Sequence, residues 1–174
     1  WDEPFPFLFS HGLLIKDGAK MSKSRGNVVT PDDYIERFGA DCLRMYLMFV
    51  GPYDQGGDFR DSGMAGMYRF LERVWRAFQK ARGMWPASPA KRGEHEARGK
   101  SKELRASSFG LRATLHRTIK NVTERVESFR YNTAISAMME FTNTWSRRTL
   151  GTAHLSREDA GAFVRLLAPF APHL

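Results

Sequence analysis

A chain of 174 residues, 42% hydrophobic and 13% aromatic, can bury a sizeable core and is too apolar for a disordered segment. Its single cysteine excludes a disulfide framework and a cysteine-built metal site, and no apolar run approaches the roughly 20 residues needed to span a bilayer, so a soluble protein of the reducing cytoplasm is expected. The formal charge of +8 is uneven, because residues 1–60 hold seven Lys/Arg and nine Asp/Glu (net −2) while residues 61–174 hold twenty and ten (net +10).

Residues 5–16, FPFLFSHGLLIK, read as a strand, with Asp17-Gly18 as the turn that follows. Val28-Val29 is a second short extended piece. Thr30-Pro31-Asp32-Asp33 reads as a helix start, with Thr30 as cap, Pro31 pre-set in φ, and Asp33 completing a capping box. Gly39 ends that helix, and Ala40 to Val50 form another, closed by Gly51-Pro52. From Ser62 the apolar spacing is helical, with Met64, Met67, Leu71, Val74, Trp75 and Phe78 on one face. Residues 83–104 are polar and proline-bearing, a linker or loop. Leu115, Ile119, Val122, Val126 and Phe129 repeat the stripe, as do Ile135, Met138, Met139, Thr142 and Trp145. A last helix begins at Ser156, with Asp159 completing a capping box, and carries Phe163, Leu166 and Leu167. The expected fold is mainly α, ending in a helical bundle whose methionine and aromatic stripes are core.

Two features point beyond packing. The excess positive charge after residue 60 suits an anionic partner, nucleic acid first, although a solvated Lys/Arg face explains charge alone as well. Arg69, Arg73, Arg76 and Lys80 recur along a helix whose other face is apolar, leaving one side free for a phosphate backbone. The second feature is AKMSKSRGNVVT at 19–30. In an irregular loop Lys20 and Lys23 can converge on one polyanion while Ser22, Ser24 and backbone N–H groups donate hydrogen bonds. Gly26 permits the bend and Asn27 can bridge backbone across it, which makes a phosphate-gripping loop that can open and close.

Lys20-Met21-Ser22-Lys23-Ser24 is identical to the KMSKS signature of class I aminoacyl-tRNA synthetases. Glu3 to Gly12, Asp17 to Val29, Tyr34 to Phe49, Asp58 to Gly63, Arg69 to Trp75 and Tyr131 to Ala137 together resemble the leucyl-tRNA synthetases, the likeness thinning only at 83–104. Relatives for valine and isoleucine usually carry leucine where Arg25 stands, which favours the leucine family over that alternative. The resemblance implies that residues 1–60 are the C-terminal part of a Rossmann-like catalytic domain. Residues 61–174 would begin a helical domain of the anticodon-binding type. It further implies ATP and Mg²⁺ as reactants for leucyl-adenylate formation, followed by transfer of leucine to tRNA(Leu). In that pattern Lys23 stabilises charge developing on pyrophosphate, Lys20 supports it, and Met21, Ser22 and Ser24 complete the ATP-binding loop.

No His-x-Gly-His occurs, and His11, His95, His116, His154 and His173 form no recognisable site. Both ends are expected to be cut, and the chain alone is expected to be inactive, carrying half an ATP site. The rival of another class is a non-catalytic RNA-binding module of synthetase ancestry.

Overall fold

The computed structural model describes residues 4–85, 100–149 and 155–174. Among these the order is β1 (Leu14–Lys16), β2 (Ala19–Lys20), a 3-10 turn (Lys23–Arg25), α1 (Pro31–Phe38), α2 (Ala40–Phe49), β3 (Gly57–Phe59), α3 (Asp61–Arg82), α4 (Lys100–Glu127), α5 (Tyr131–Thr149) and α6 (Arg157–Leu167). A small sheet precedes the helical bundle, as the sequence leads one to expect.

The sheet order is β2-β1-β3. β1 and β2 form a hairpin with Ile15 opposite Lys20 and Lys16 opposite Ala19. Its two-residue turn puts Asp17 at φ 52° and Gly18 at φ 75°, the left-handed pair that matches the strands' twist. β3 runs parallel to β1, pairing Leu14 with Gly57, Ile15 with Asp58 and Lys16 with Phe59. The chain reaches it through α1 and α2, the crossover that a parallel pair demands. Close backbone approach secures the join, since a Cβ on Gly12 would lie 2.0 Å from the nitrogen of Gly56, which itself sits at φ 76°.

The strand predicted over 5–16 contracts to Leu14–Lys16, because only there does a neighbouring strand supply partners; Phe5, Phe7 and Leu8 are exposed. Phe9 instead stacks on Phe129, with ring centroids 4.5 Å apart, at the α4–α5 turn. Val28-Val29 is unpaired, and β3, with Asp58 at its centre, was not expected. The predicted capping box at Thr30 does not form. Thr30 makes no side-chain cap bond, and Pro31 with acidic Asp32 and Asp33 in the first turn serves the helix start. At α6 the serine cap of the predicted box forms: Ser156 Oγ accepts from the Asp159 N–H at 3.0 Å, while the Asp159 carboxylate takes the Ser156 hydroxyl and not its backbone N–H. Residues 100–104, read as linker, are the first turn of α4, and 86–99 lie outside the described residues.

Met64, Met67, Leu71 and Val74 are buried, as are Leu115, Val122, Ile135, Met138, Thr142, Trp145, Phe163 and Leu167. Trp75 is 52% exposed, on the outer side of α3, and Val126 and Phe129 are exposed where α4 leaves the core. Phe129 takes φ 57° as that helix ends, and the Arg130 N–H closes back on the Arg125 carbonyl at 2.7 Å. The buried cluster is continuous from Tyr34 through α2, α3, α4, α5 and α6 to Ala171. Each large apolar side chain inside it contributes about 1.5–3 kcal/mol.

Cys42 is fully buried on α2, its Sγ donates to the Met64 carbonyl at 3.6 Å, and burial pushes its thiol up to about 11. A thiol reagent at pH 8 is therefore expected to label the folded protein at least a hundredfold more slowly than the urea-unfolded chain. Equal rates in the two states would contradict the packing of α2 on α3.

Candidate active-site loop and nucleic-acid face

The loop between β2 and α1 is ordered by one amide. Asn27 Oδ1 accepts the Ser22 N–H at 2.8 Å, and Asn27 Nδ2 donates to the Lys20 carbonyl at 3.2 Å. The bridge forecast for Asn27 thus exists, with both ends of the amide used. Inside the arch the Arg25 N–H bonds the Ser22 carbonyl at 3.1 Å and the Gly26 N–H bonds the Lys23 carbonyl at 3.2 Å. Gly26 sits at φ 67°, ψ 13°, with open space where a Cβ would stand, so conformation and not crowding requires glycine.

The arch gathers the predicted residues. Lys20 is in β2, and Lys23 and Ser24 open the 3-10 turn with their side chains exposed. Ser22 and Ser24 hydroxyls lie 2.8 Å apart, while Met21 turns inward against the core. Among the described residues neither ammonium enters an ion pair, and the N–H groups of Lys23 and Ser24 make no hydrogen bond. Two cations, two backbone donors and the one hydroxyl proton not used between Ser22 and Ser24 are therefore available to oxyanions, which is the chemistry of a phosphate clamp. No group of three His, Cys, Asp or Glu side chains that could hold a metal ion occurs among the described residues.

Reasoning along the chain missed the loop's supports. Lys16 Nζ donates to Tyr34 Oη at 3.3 Å, and that hydroxyl donates to Asp61 Oδ1 at 2.5 Å. Tyr34's acidity is weakened by burial first and by the Asp61 bond second; the Tyr34 bond raises the Lys16 ammonium's pKa. Asp58 accepts the Gly18 N–H at 3.1 Å and pairs with Arg60 at 2.9 Å, bonds that hold its carboxyl below the usual range. Apart from the Asp58–Arg60 pair, these contacts span 18 to 40 positions in the chain, so no local pattern announces them.

The basic residues of α3 share its outer side as expected but are not equivalent. Arg73 donates to Asn143 of α5 at 3.2 Å, and Arg76 pairs with Glu72 at 3.2 Å. Arg69 and Lys80 are exposed and, among the described residues, make no such bond. Tyr68 and Trp75 are exposed on a different side of the same helix, Tyr68 with its ring edge-on to Phe38 at 6.0 Å.

Residues 1–59 match the family described as tRNA synthetases class I (I, L, M and V), and residues 110–174 match the anticodon-binding domain of tRNA ligase. The chain belongs to the class I tRNA synthetases. Its relatives within that class include leucine–tRNA ligases. It is 42% identical over 176 residues to that of Dehalococcoides mccartyi (strain CBDB1), and 45% over 177 to that of Geobacter sp. (strain M21). Each alignment covers 99% of this chain and 20% of the relative, so the chain spans about a fifth of these proteins' length. The fold is also similar to a solved LeuRS–tRNA–LeuAMS ternary complex of Agrobacterium radiobacter K84, at TM-score 0.76 and 34% identity, covering 99% of this chain and 22% of that one.

Replacing Gly26 by valine forces a β-branched residue into the left-handed region. In a full-length ligase carrying residues 1–174, Gly26→Val is expected to lower the rate of amino-acid activation at least tenfold, with little change in melting temperature. An unaltered rate would show that the arch tolerates another backbone.

Proposed function

We propose that this chain supplies the phosphate-gripping loop and the adjoining helical bundle of a leucine–tRNA ligase. That enzyme would activate leucine with ATP to leucyl-adenylate and pyrophosphate, then transfer leucine to tRNA(Leu). The observation that carries the reading is the Asn27-closed arch, which leaves Lys20 and Lys23 exposed and uncommitted within a chain 40–45% identical to leucine–tRNA ligases throughout. We divide it at residue 60, with the catalytic-domain part before and the bundle after, a division the two family matches support. A cytoplasmic location accords with the single reduced cysteine and with the lack of a membrane-spanning helix among the described residues.

Attack of the leucine carboxylate on the α-phosphate expels pyrophosphate, and negative charge grows on the departing oxygens. The Lys23 ammonium meets that charge, Lys20 adds to the local field, and Ser22 and Ser24 with the loop N–H groups hold the phosphate oxygens. Met21 anchors the arch to the core. Mg²⁺ bound to the nucleotide would supply further neutralising charge on the phosphates. The remaining contacts to adenosine and leucine belong to parts of the enzyme outside this stretch, so residues 1–174 alone are expected to be inactive.

Because the Lys23 contact strengthens in the transition state, Lys23→Ala in the full-length ligase is expected to reduce leucine-dependent ATP–pyrophosphate exchange about a hundredfold, on the order of 3 kcal/mol, with a small change in KM for ATP. A change confined to KM would assign Lys23 to ground-state binding. Exchange driven better by valine or isoleucine would move the chain to those sister enzymes.

The bundle would hold tRNA by its phosphates. Tying Arg73 to Asn143 and Arg76 to Glu72 shifts the expected contact to Arg69 and Lys80. Alanine at both is expected to flatten the salt dependence of tRNA binding by about one unit of slope per lost phosphate contact, equally for tRNAs with altered anticodons. An unchanged slope would place the contact on another face.

A further inference from the structure

The β3–α3 junction offers two carboxylates to the loop, and they reach it from opposite ends. Asp58, in β3, accepts the Gly18 N–H at the tip of the β1–β2 hairpin, just ahead of the signature. Asp61, the first residue of α3, accepts from Tyr34, the first buried residue after the loop, and Tyr34 in turn accepts from Lys16, the last residue of β1. Lys16 Nζ is also 3.8 Å from Asp61 Oδ1 and 5.9 Å from the ring centres of both Tyr34 and Phe59. Between the two carboxylates Arg60 is fixed twice, its N–H on the Tyr46 hydroxyl at 2.8 Å and its guanidinium on Asp58. Both anchor points, Lys16–Tyr34 and Gly18, therefore close on four consecutive residues, 58–61.

We infer that Asp58, Tyr34 and Asp61 are positioning residues for the signature loop: the junction clamps both feet of the arch and so sets where Lys20 and Lys23 present their charge. The inference rests on the proposed role of those lysines in adenylate formation. Cationic groups that stabilise a transition state act only in register with the reacting atoms, and a displacement of about 1 Å can cost up to a hundredfold. The clamp also fixes the start of α3, so the helix bearing Arg69 and Lys80 and the loop bearing Lys20 and Lys23 leave one rigid point. None of these residues touches the nucleotide in this scheme; they act through the backbone that carries the lysines.

Tyr34→Phe is a clean probe, since it deletes one hydroxyl and retains the ring that packs edge-on against Phe59 at 5.0 Å. Asp58→Asn keeps the shape and removes the charge. In the full-length ligase each is expected to lower kcat for leucine-dependent pyrophosphate exchange about tenfold while KM for ATP stays within twofold. Trypsin is expected to cut after Lys20, Lys23 or Arg25 about tenfold faster than in the parent. Ile35→Ala, one residue along α1 and outside the clamp, is expected to match the parent in both assays. Cutting at the parental rate in both clamp variants overturns the inference, as does faster cutting with a parental exchange rate. A parent with no leucine-dependent exchange overturns the assignment to leucine activation instead. The tryptic arm then decides the clamp, faster cutting supporting it and parental cutting overturning it.

Discussion

Three backbone pairs between β1 and β3 carry the geometry of everything ahead of α3. Parallel pairing places Asp58 opposite Ile15 and Phe59 opposite Lys16, which sets one carboxylate under the hairpin tip and an aromatic ring under the ammonium. A one-residue slip would turn every side chain of β3 to the other face and take Asp58 away from Gly18. So short a ladder cannot hold register by hydrogen bonds alone. Steric exclusion holds it: Gly12 and Gly56 cross where any side chain would meet backbone, so the two strands seat in one way.

From that join the order propagates by packing. α2 lies against α3 and α5, so the segment that follows the loop is built into the bundle and not laid on its surface. Tyr34 and Tyr46 work at both levels, each presenting a ring edge to buried Phe59 and a hydroxyl to the β3–α3 junction. A polar tip on an apolar body lets one residue anchor in the core and still reach a charged neighbour. The electrostatics of the loop's supports thus depend on the same contacts that stabilise the helices.

The sequence declared what is periodic or local. The helices from Ala40 onward, the inward face of α3, the Ser156 cap and the Asn27 bridge could all be read from spacing and residue type. Thr30 makes no cap bond, and the start of α1 instead has Pro31 pre-set in φ and two acidic residues at the positive end of the helix dipole. Trp75 was misplaced because a large aromatic three or four residues from buried neighbours fits an apolar stripe on paper, yet lies one residue beyond Val74 and turns outward. Strand content was misjudged in both directions, since pairing is decided by a partner 43 positions away and not by the apolar character of 5–13. The clamp escaped notice for the same reason. Its bonds, Asp58–Arg60 apart, join residues that the fold alone makes neighbours.

The Asn27 amide has a thermodynamic consequence. Its oxygen and its nitrogen are both engaged by the loop's own backbone, so the arch takes its shape before any phosphate arrives. A loop already folded loses little backbone entropy on capture of an anion, and most of the ordering cost is borne when the protein folds. Binding heat at this loop would then report ionic contact and released water rather than a disorder-to-order transition, with only a small heat-capacity change attached.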